Sequence, residues 1–102
     1  VIYRLRVSRR AGRQIREAST WWLRHRDKAP LAFAEDLDDA LNLIVELPNA
    51  GELDRRGRTA GVRRVLLTRT RYHLYYSVDE STRTVQVLSL WHTSRGTSPT
   101  LG

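Results

Sequence analysis

Thr68–Asp79 reads TRTRYHLYYSVD. From Arg71 onward two sets of side chains alternate. Tyr72, Leu74, Tyr76 and Val78 form one set; Arg71, His73, Tyr75 and Ser77 form the other. A period of two is that of a β-strand with unlike faces. The first set predicts an inward surface, the second an outward one carrying arginine, imidazole and phenol. The stretch has neighbours of the same kind. Val62–Thr68 precedes it as a strand-like segment. Thr84–His92 follows, with Val85, Val87, Ser89 and Trp91 alternating against Thr84, Gln86, Leu88, Leu90 and His92. The polar Asp79–Arg83 link (DESTR) is short enough to make these last two strands a hairpin.

Upstream the period changes. Val1–Val7 (VIYRLRV) alternates Val1, Tyr3, Leu5 and Val7 against Ile2, Arg4 and Arg6, which predicts a first strand with one apolar face. Ser8 then offers a helix N-cap. From Arg9 to about Arg26, Ala11, Ile15, Ala18 and Trp22 recur at helical spacing among arginines. Asp27–Pro30 breaks the pattern, and Pro30 suits the first turn of a second helix. Phe33, Leu37, Ala40, Leu41, Ile44 and Leu47 give that helix its apolar stripe, with Glu35, Asp36, Asp38 and Asp39 expected on its other faces. Leu47-Pro48 ends it. Two helices with so short a link are expected to pack as an antiparallel hairpin. Asn49–Gly61, with glycines at 51, 57 and 61, reads as a loop. The expected fold is therefore α+β: an N-terminal strand, an antiparallel helical hairpin, then a three-stranded antiparallel meander. The first strand must find its partner among the last three. The domain is expected over residues 1–95, with 96–102, rich in Ser, Thr, Gly and Pro, as a flexible tail.

Composition limits the function. At 102 residues the chain fits one domain with one core. It has no cysteine, so disulfide and thiolate-metal chemistry are excluded. No run approaches the ~20 apolar residues of a membrane span, and the first residues lack an apolar signal core, so a cytoplasmic domain is expected. The net charge is +7, and it is not evenly spread. Residues 1–54 carry nine basic and nine acidic side chains; residues 55–102 carry nine arginines against Asp79 and Glu80 alone. Such asymmetry points to a polyanion or an acidic protein segment as partner.

Motifs for common chemistries are absent. His25, His73 and His92 have no metal-ligand spacing, so no metal is expected. The glycines match neither phosphate-loop pattern, and no cofactor is expected. No G-x-S-x-G stretch exists. Metal-free RNA cleavage needs a base, an acid and cations around one phosphate. His73, His92, Tyr75, Arg64, Arg71 and Arg95 would meet that need if one sheet face gathered them. Arg63, Arg64, Arg69, Arg71, Trp91 and Arg95 would equally suit a binding face, where arginine and aromatic residues dominate.

Five motifs in series make a further pattern. They are YRLRVSRRA, the helical pair REASTWWLRHRDKAPLAFAEDLDDALNLIVELPNAG with its closing Leu47, Pro48 and Gly51, GVRRVLL, YHLYYSVD and VLSLWHTSR. Together they run from about Tyr3 to Arg95 and resemble the ParE/RelE toxin superfamily of bacterial type II toxin–antitoxin systems, the ParE branch in particular. The resemblance implies a compact toxin neutralised by a cognate antitoxin. It implies one of two activities: poisoning DNA gyrase, as ParE-like members do, or cutting mRNA on the ribosome, as RelE-like members do. A third reading is a detoxified partner that only assembles with its antitoxin. The RelE-type strand arginine is His73 here. Arg64 matches one of two expected basic residues, and the other falls near Leu66. The arginine expected just after the last strand falls near Thr93, with Arg95 close by. His92 matches the C-terminal histidine of one ribonuclease branch, but the tyrosine that follows it there is Thr93. These departures favour the gyrase reading. The residues expected to meet target or antitoxin are Arg63, Arg64, Arg69, Arg71, His73, Trp91, His92 and Arg95; a ribonuclease would use His92, Arg64 and Arg95.

Overall fold

The computed structural model describes residues 2–55, 59–95 and 99. Two helices cover one face of a five-stranded mixed sheet. The strands are β1 (Arg4–Val7), β2 (Glu52–Leu53), β3 (Arg63–Leu67), β4 (Tyr72–Asp79) and β5 (Thr84–His92); the helices are α1 (Arg9–His25) and α2 (Ala32–Glu46). The spatial order is β1-β5-β4-β3-β2. The meander β3-β4-β5 is antiparallel, and β1 closes on β5 in parallel, from Arg4↔Thr84 to Val7↔Val87. The expected α+β architecture is found, with one strand more than the sequence indicated. The expected Val1–Val7 strand is shorter at its start, where Val1 lies outside the described residues, as do Gly57 and most of the 96–102 tail.

The first helix begins where local chemistry directs, whereas α2 starts at Ala32, after Pro30 and with no side-chain cap. Ser8 Oγ accepts from the Ala11 N–H at 3.1 Å and caps α1. Of the α1 stripe, Ala11 and Ala18 are buried, and Ile15 and Trp22 pack against the core. On α2, Phe33, Ala40 and Ile44 are buried, but Leu47 is largely exposed. Asp36 corrects the reading of α2. It lies on the buried side, three residues after Phe33 and four before Ala40. Its Oδ2 accepts from the Arg69 N–H at 3.0 Å, the Thr70 N–H at 2.8 Å and Thr70 Oγ1 at 2.8 Å. The carboxylate thus ties α2 to the β3–β4 turn and satisfies donors that burial would otherwise strand. That turn places Arg71 at a positive φ of 67°, so Arg71 precedes β4 instead of opening its outward face.

The expected loop also holds a fixed point. Glu52–Leu53 forms the edge strand β2 against β3. Ahead of it, Tyr76 Oη donates to the Pro48 carbonyl at 2.7 Å and accepts from the Gly51 N–H at 2.9 Å. A Cβ at Gly51 would stand 2.6 Å from that Oη and 2.8 Å from the Arg64 carbonyl oxygen. Only glycine fits the close approach, which accounts physically for the Leu47-Pro48-x-x-Gly51 spacing. The DESTR link turns as expected, with Asp79 Oδ1 accepting from Ser81 N–H and Ser81 Oγ.

Candidate functional site

The sheet sorts the candidate residues by its pleat, and a bulge decides the outcome. Tyr75 pairs with Ser89 but Tyr76 pairs with Val87, so Leu88 is an extra residue in β5. Beyond it the phase of β5 flips. Leu90 and His92 now share the helix side with Leu74 and Tyr72, and Trp91 sits beside His73 on the other face. The alternation expected for β5 placed Trp91 with Val85 and Val87; the bulge corrects it. The apolar positions 85, 87, 88 and 90 already carry the signal, because an even period cannot contain both 87 and 90.

The face away from the helices gathers Arg64, His73, Tyr75 and Trp91. Arg64 stands opposite Tyr75, and Glu52 stands opposite Arg64. Glu52 Oε1 accepts from Arg64 Nε at 2.9 Å and Nη2 at 2.8 Å. Burial works against the charge on Arg64, but hydrogen bonds to Tyr75 and Glu52 outweigh it and hold its pKa above the usual arginine range. The His73 and Tyr75 rings meet edge to face, with centroids 6.1 Å apart. Burial first, then the Arg64 charge, lowers the His73 pKa below the usual histidine range. After β5, a 3-10 turn at Thr93–Arg95 carries the Arg95 guanidinium over the Trp91 ring, 4.1 Å from its centroid. Among the described residues no carboxylate pairs with Arg95.

The remaining candidates lie elsewhere. Arg63 pairs with Tyr76, so it faces the opposite way from Arg64. Its Nη1 donates to the Gly51 carbonyl at 2.8 Å and braces the loop. Arg69 lies in the turn, 3.6 Å from Glu35, with both side chains more than half exposed. Arg71 anchors the start of the 3-10 turn, its carbonyl accepting from the Thr93 N–H at 2.9 Å. His92 packs edge to face on Tyr72, with centroids 4.8 Å apart, and its Nδ1 lies 2.8 Å from Ser94 Oγ. It lines a recess of about 350 Å³ with Trp21, Trp22, Arg26 and Tyr72. The set that metal-free cleavage would need is therefore divided. Arg64, His73, Tyr75 and Arg95 are together, His92 is on the helix side, and Arg71 is in the turn.

Sequence reading missed Glu52, because a two-residue strand has no period to detect. It also missed the cation–aromatic stack at the end of α1, where Arg26 lies over Trp21 and Trp22 at 5.1 and 5.5 Å. No group of three His, Cys, Asp or Glu among the described residues could hold a metal ion. No helix among them is long and apolar enough to cross a membrane. The second sheet face is chemically suited to recognition. It presents guanidinium and indole surface beside an imidazole whose protonation burial disfavours.

Comparison with known proteins gives a consistent result. The family model for the ParE toxin of the type II toxin–antitoxin system parDE matches residues 5–96. Among solved structures, the toxin–antitoxin complex RelBE2 from Mycobacterium tuberculosis contains a chain 25% identical, with a TM-score of 0.66, covering 90% of this chain and 99% of that one. A chain of the chromosomal ParDE system from P. aeruginosa is 17% identical with a TM-score of 0.69, covering 89% and 96%. The intact E. coli RelBE toxin–antitoxin complex matches at 22% identity and a TM-score of 0.60, covering 91% and 99%. No curated protein matches the sequence.

Proposed function

The chain belongs to the ParE toxin family of type II toxin–antitoxin systems, and from that premise we propose that it poisons DNA gyrase by binding and is neutralised by a cognate antitoxin. What carries the choice of a binder over a nuclease is that the gathered acid–base set is closed to a phosphate: Tyr75, the phenol beside His73, is only 2% exposed. Cleavage without a metal requires proton donor, proton acceptor and cations around one phosphate. Here His92 and His73 lie on opposite faces of the sheet. Arg64 is already engaged by Glu52, and the strand position that keeps an arginine in RelE-like ribonucleases holds an imidazole of lowered basicity. Removing one such stabilising donor typically costs about 10²–10³ in rate. The second sheet face, with Arg64, Trp91 and Arg95, is the surface offered to target or antitoxin.

The alternative is ribosome-dependent mRNA cleavage using His92, Arg64 and Arg95. One observation favours it: the stack of Arg95 on Trp91 could extend to a nucleobase. A paired assay separates the two. Purified protein is added to gyrase supercoiling reactions and, separately, to translating ribosomes. The gyrase reading expects inhibited supercoiling and intact mRNA. Normal supercoiling with mRNA cut in the ribosomal A site overturns it. The antitoxin arm is a relief experiment: a cognate antitoxin added at equimolar ratio is expected to restore supercoiling.

A further inference from the structure

The N-terminal half of α1 violates the electrostatic rules that α2 obeys. The first turn of α2 carries Glu35, the charge a helix N-terminus favours. The first turn of α1 has no acid and begins with Arg9 and Arg10. Arg13 follows at i+4 from Arg9, and Arg16 at i+3 from Arg13, so like charges stack along one exposed line of the helix. Among the described residues no carboxylate comes within ion-pair distance of Arg9, Arg13 or Arg16. Local rules broken without an internal compensation mark a surface kept for an external one.

The three guanidiniums also share a shaped surface. With Val7, Ser8 and Gly12 they line an open recess of about 590 Å³ between the end of β1 and α1. Gly12 is part of its lining, and a Cβ there would meet Arg16 Nη1 at 3.4 Å and Val7 Cγ1 at 4.0 Å.

We propose that this recess and its arginine line bind the sugar–phosphate backbone of duplex DNA. Arginine forks match phosphate oxygens in pairs. From Arg9 to Arg16 the helix advances about 10 Å, and successive phosphates of one strand advance about 3.4 Å along the duplex axis, so the line meets about three phosphates. A rigid helix suits a rigid duplex. The line carries no aromatic ring on which the bases of a single strand would stack. It has little apolar surface beyond Val7 to anchor an amphipathic acidic peptide. The contact is distinct from the second sheet face, on the other side of the sheet from the helices, and it extends beyond the gyrase reading because it needs no gyrase.

The test measures binding of the full chain to a duplex DNA oligonucleotide of mixed sequence from 50 to 200 mM salt. The variants are Arg9→Gln/Arg13→Gln/Arg16→Gln and Arg13→Gln alone. Three lost phosphate contacts should make the log–log salt slope shallower by about 2.7, which is about 40-fold in affinity across that range, and Arg13→Gln alone by about 0.9. Thermal unfolding of both variants should show a midpoint at or above that of the parent, because like-charge repulsion is relieved. An unchanged slope in the triple variant overturns the proposal. So does tighter binding of the parent to single-stranded oligo(dT) or to polyglutamate than to the duplex.

Discussion

The two faces of the sheet are made of the same strands and do opposite things. On the helix side, Leu74, Tyr76, Val85, Val87 and Leu90 are buried in one cluster with Phe33 and Ile44. Their polar atoms are spent on the fold: Tyr76 Oη holds Pro48 and Gly51, and Asp36 holds the β3–β4 turn. On the other face, Arg64, His73, Trp91 and Arg95 remain partly or largely accessible, and their contacts are stacks and an ion pair with an exposed carboxylate. Neighbouring residues in one strand can thus be spent on the fold or left accessible, and the pleat decides which. Arg63 and Arg64 show this most simply, one bracing a loop and the other facing Glu52.

The comparison breaks if the faces respond alike to substitution. The largest effect is expected on the helix side. Leu74→Ala should lower stability by about 2–5 kcal/mol, read from chemical denaturation. A smaller loss, matching that of a substitution at Trp91, would erase the distinction. Gly51→Ala comes next. It must push the added Cβ against the Tyr76 hydroxyl and the β3 backbone, at a cost of about 1–3 kcal/mol. Retention of full stability would mean that the Gly51 approach is slack.

The second face is expected to answer to pH. The folded pKa of His73 lies below its unfolded value, so folding disfavours its proton. Above the unfolded value both states are neutral and nothing changes. As pH falls below about 6.5 the unfolded chain gains a proton that the folded chain resists, and stability drops. His73→Gln should flatten that part of the stability profile between pH 7.5 and 5, while leaving stability at pH 7.5 nearly unchanged. The smallest effect belongs to Arg95→Ala. Loss of an exposed stack on Trp91 should cost about 0.5–1 kcal/mol or less, yet under the proposed function it should weaken inhibition of supercoiling. A variant with parental potency would move the contact surface away from Arg95.

Much of the fold was legible because its signals are periodic. The α1 stripe, the Ser8 cap, the α2 stripe and the β4–β5 hairpin follow from spacing alone. What escaped lacks a period or interrupts one. β2 is two residues long. Leu88 inserts one residue into an alternation, and that single step moved Trp91 and His92 to faces opposite those expected. Asp36 lies on the apolar side of α2, but an acid there reads as solvated unless its partners, 33 and 34 residues later, are known. The candidate site was legible as a list of residue types and not as a place, because strand phase assigns the face and the bulge sets the phase.

The pairing of β1 with β5 has a consequence for synthesis. Arg4 meets Thr84, and the two are made 80 residues apart. At about 5–20 residues per second, the first strand waits several seconds before its partner emerges. The hairpin of helices can form during that interval, but the sheet has no complete order until the last strand leaves the ribosome. Trp91 and Arg95 emerge later still. Under the proposed function a nascent chain stays harmless for most of its translation, and the antitoxin has that interval in which to be present before the proposed contact surface exists.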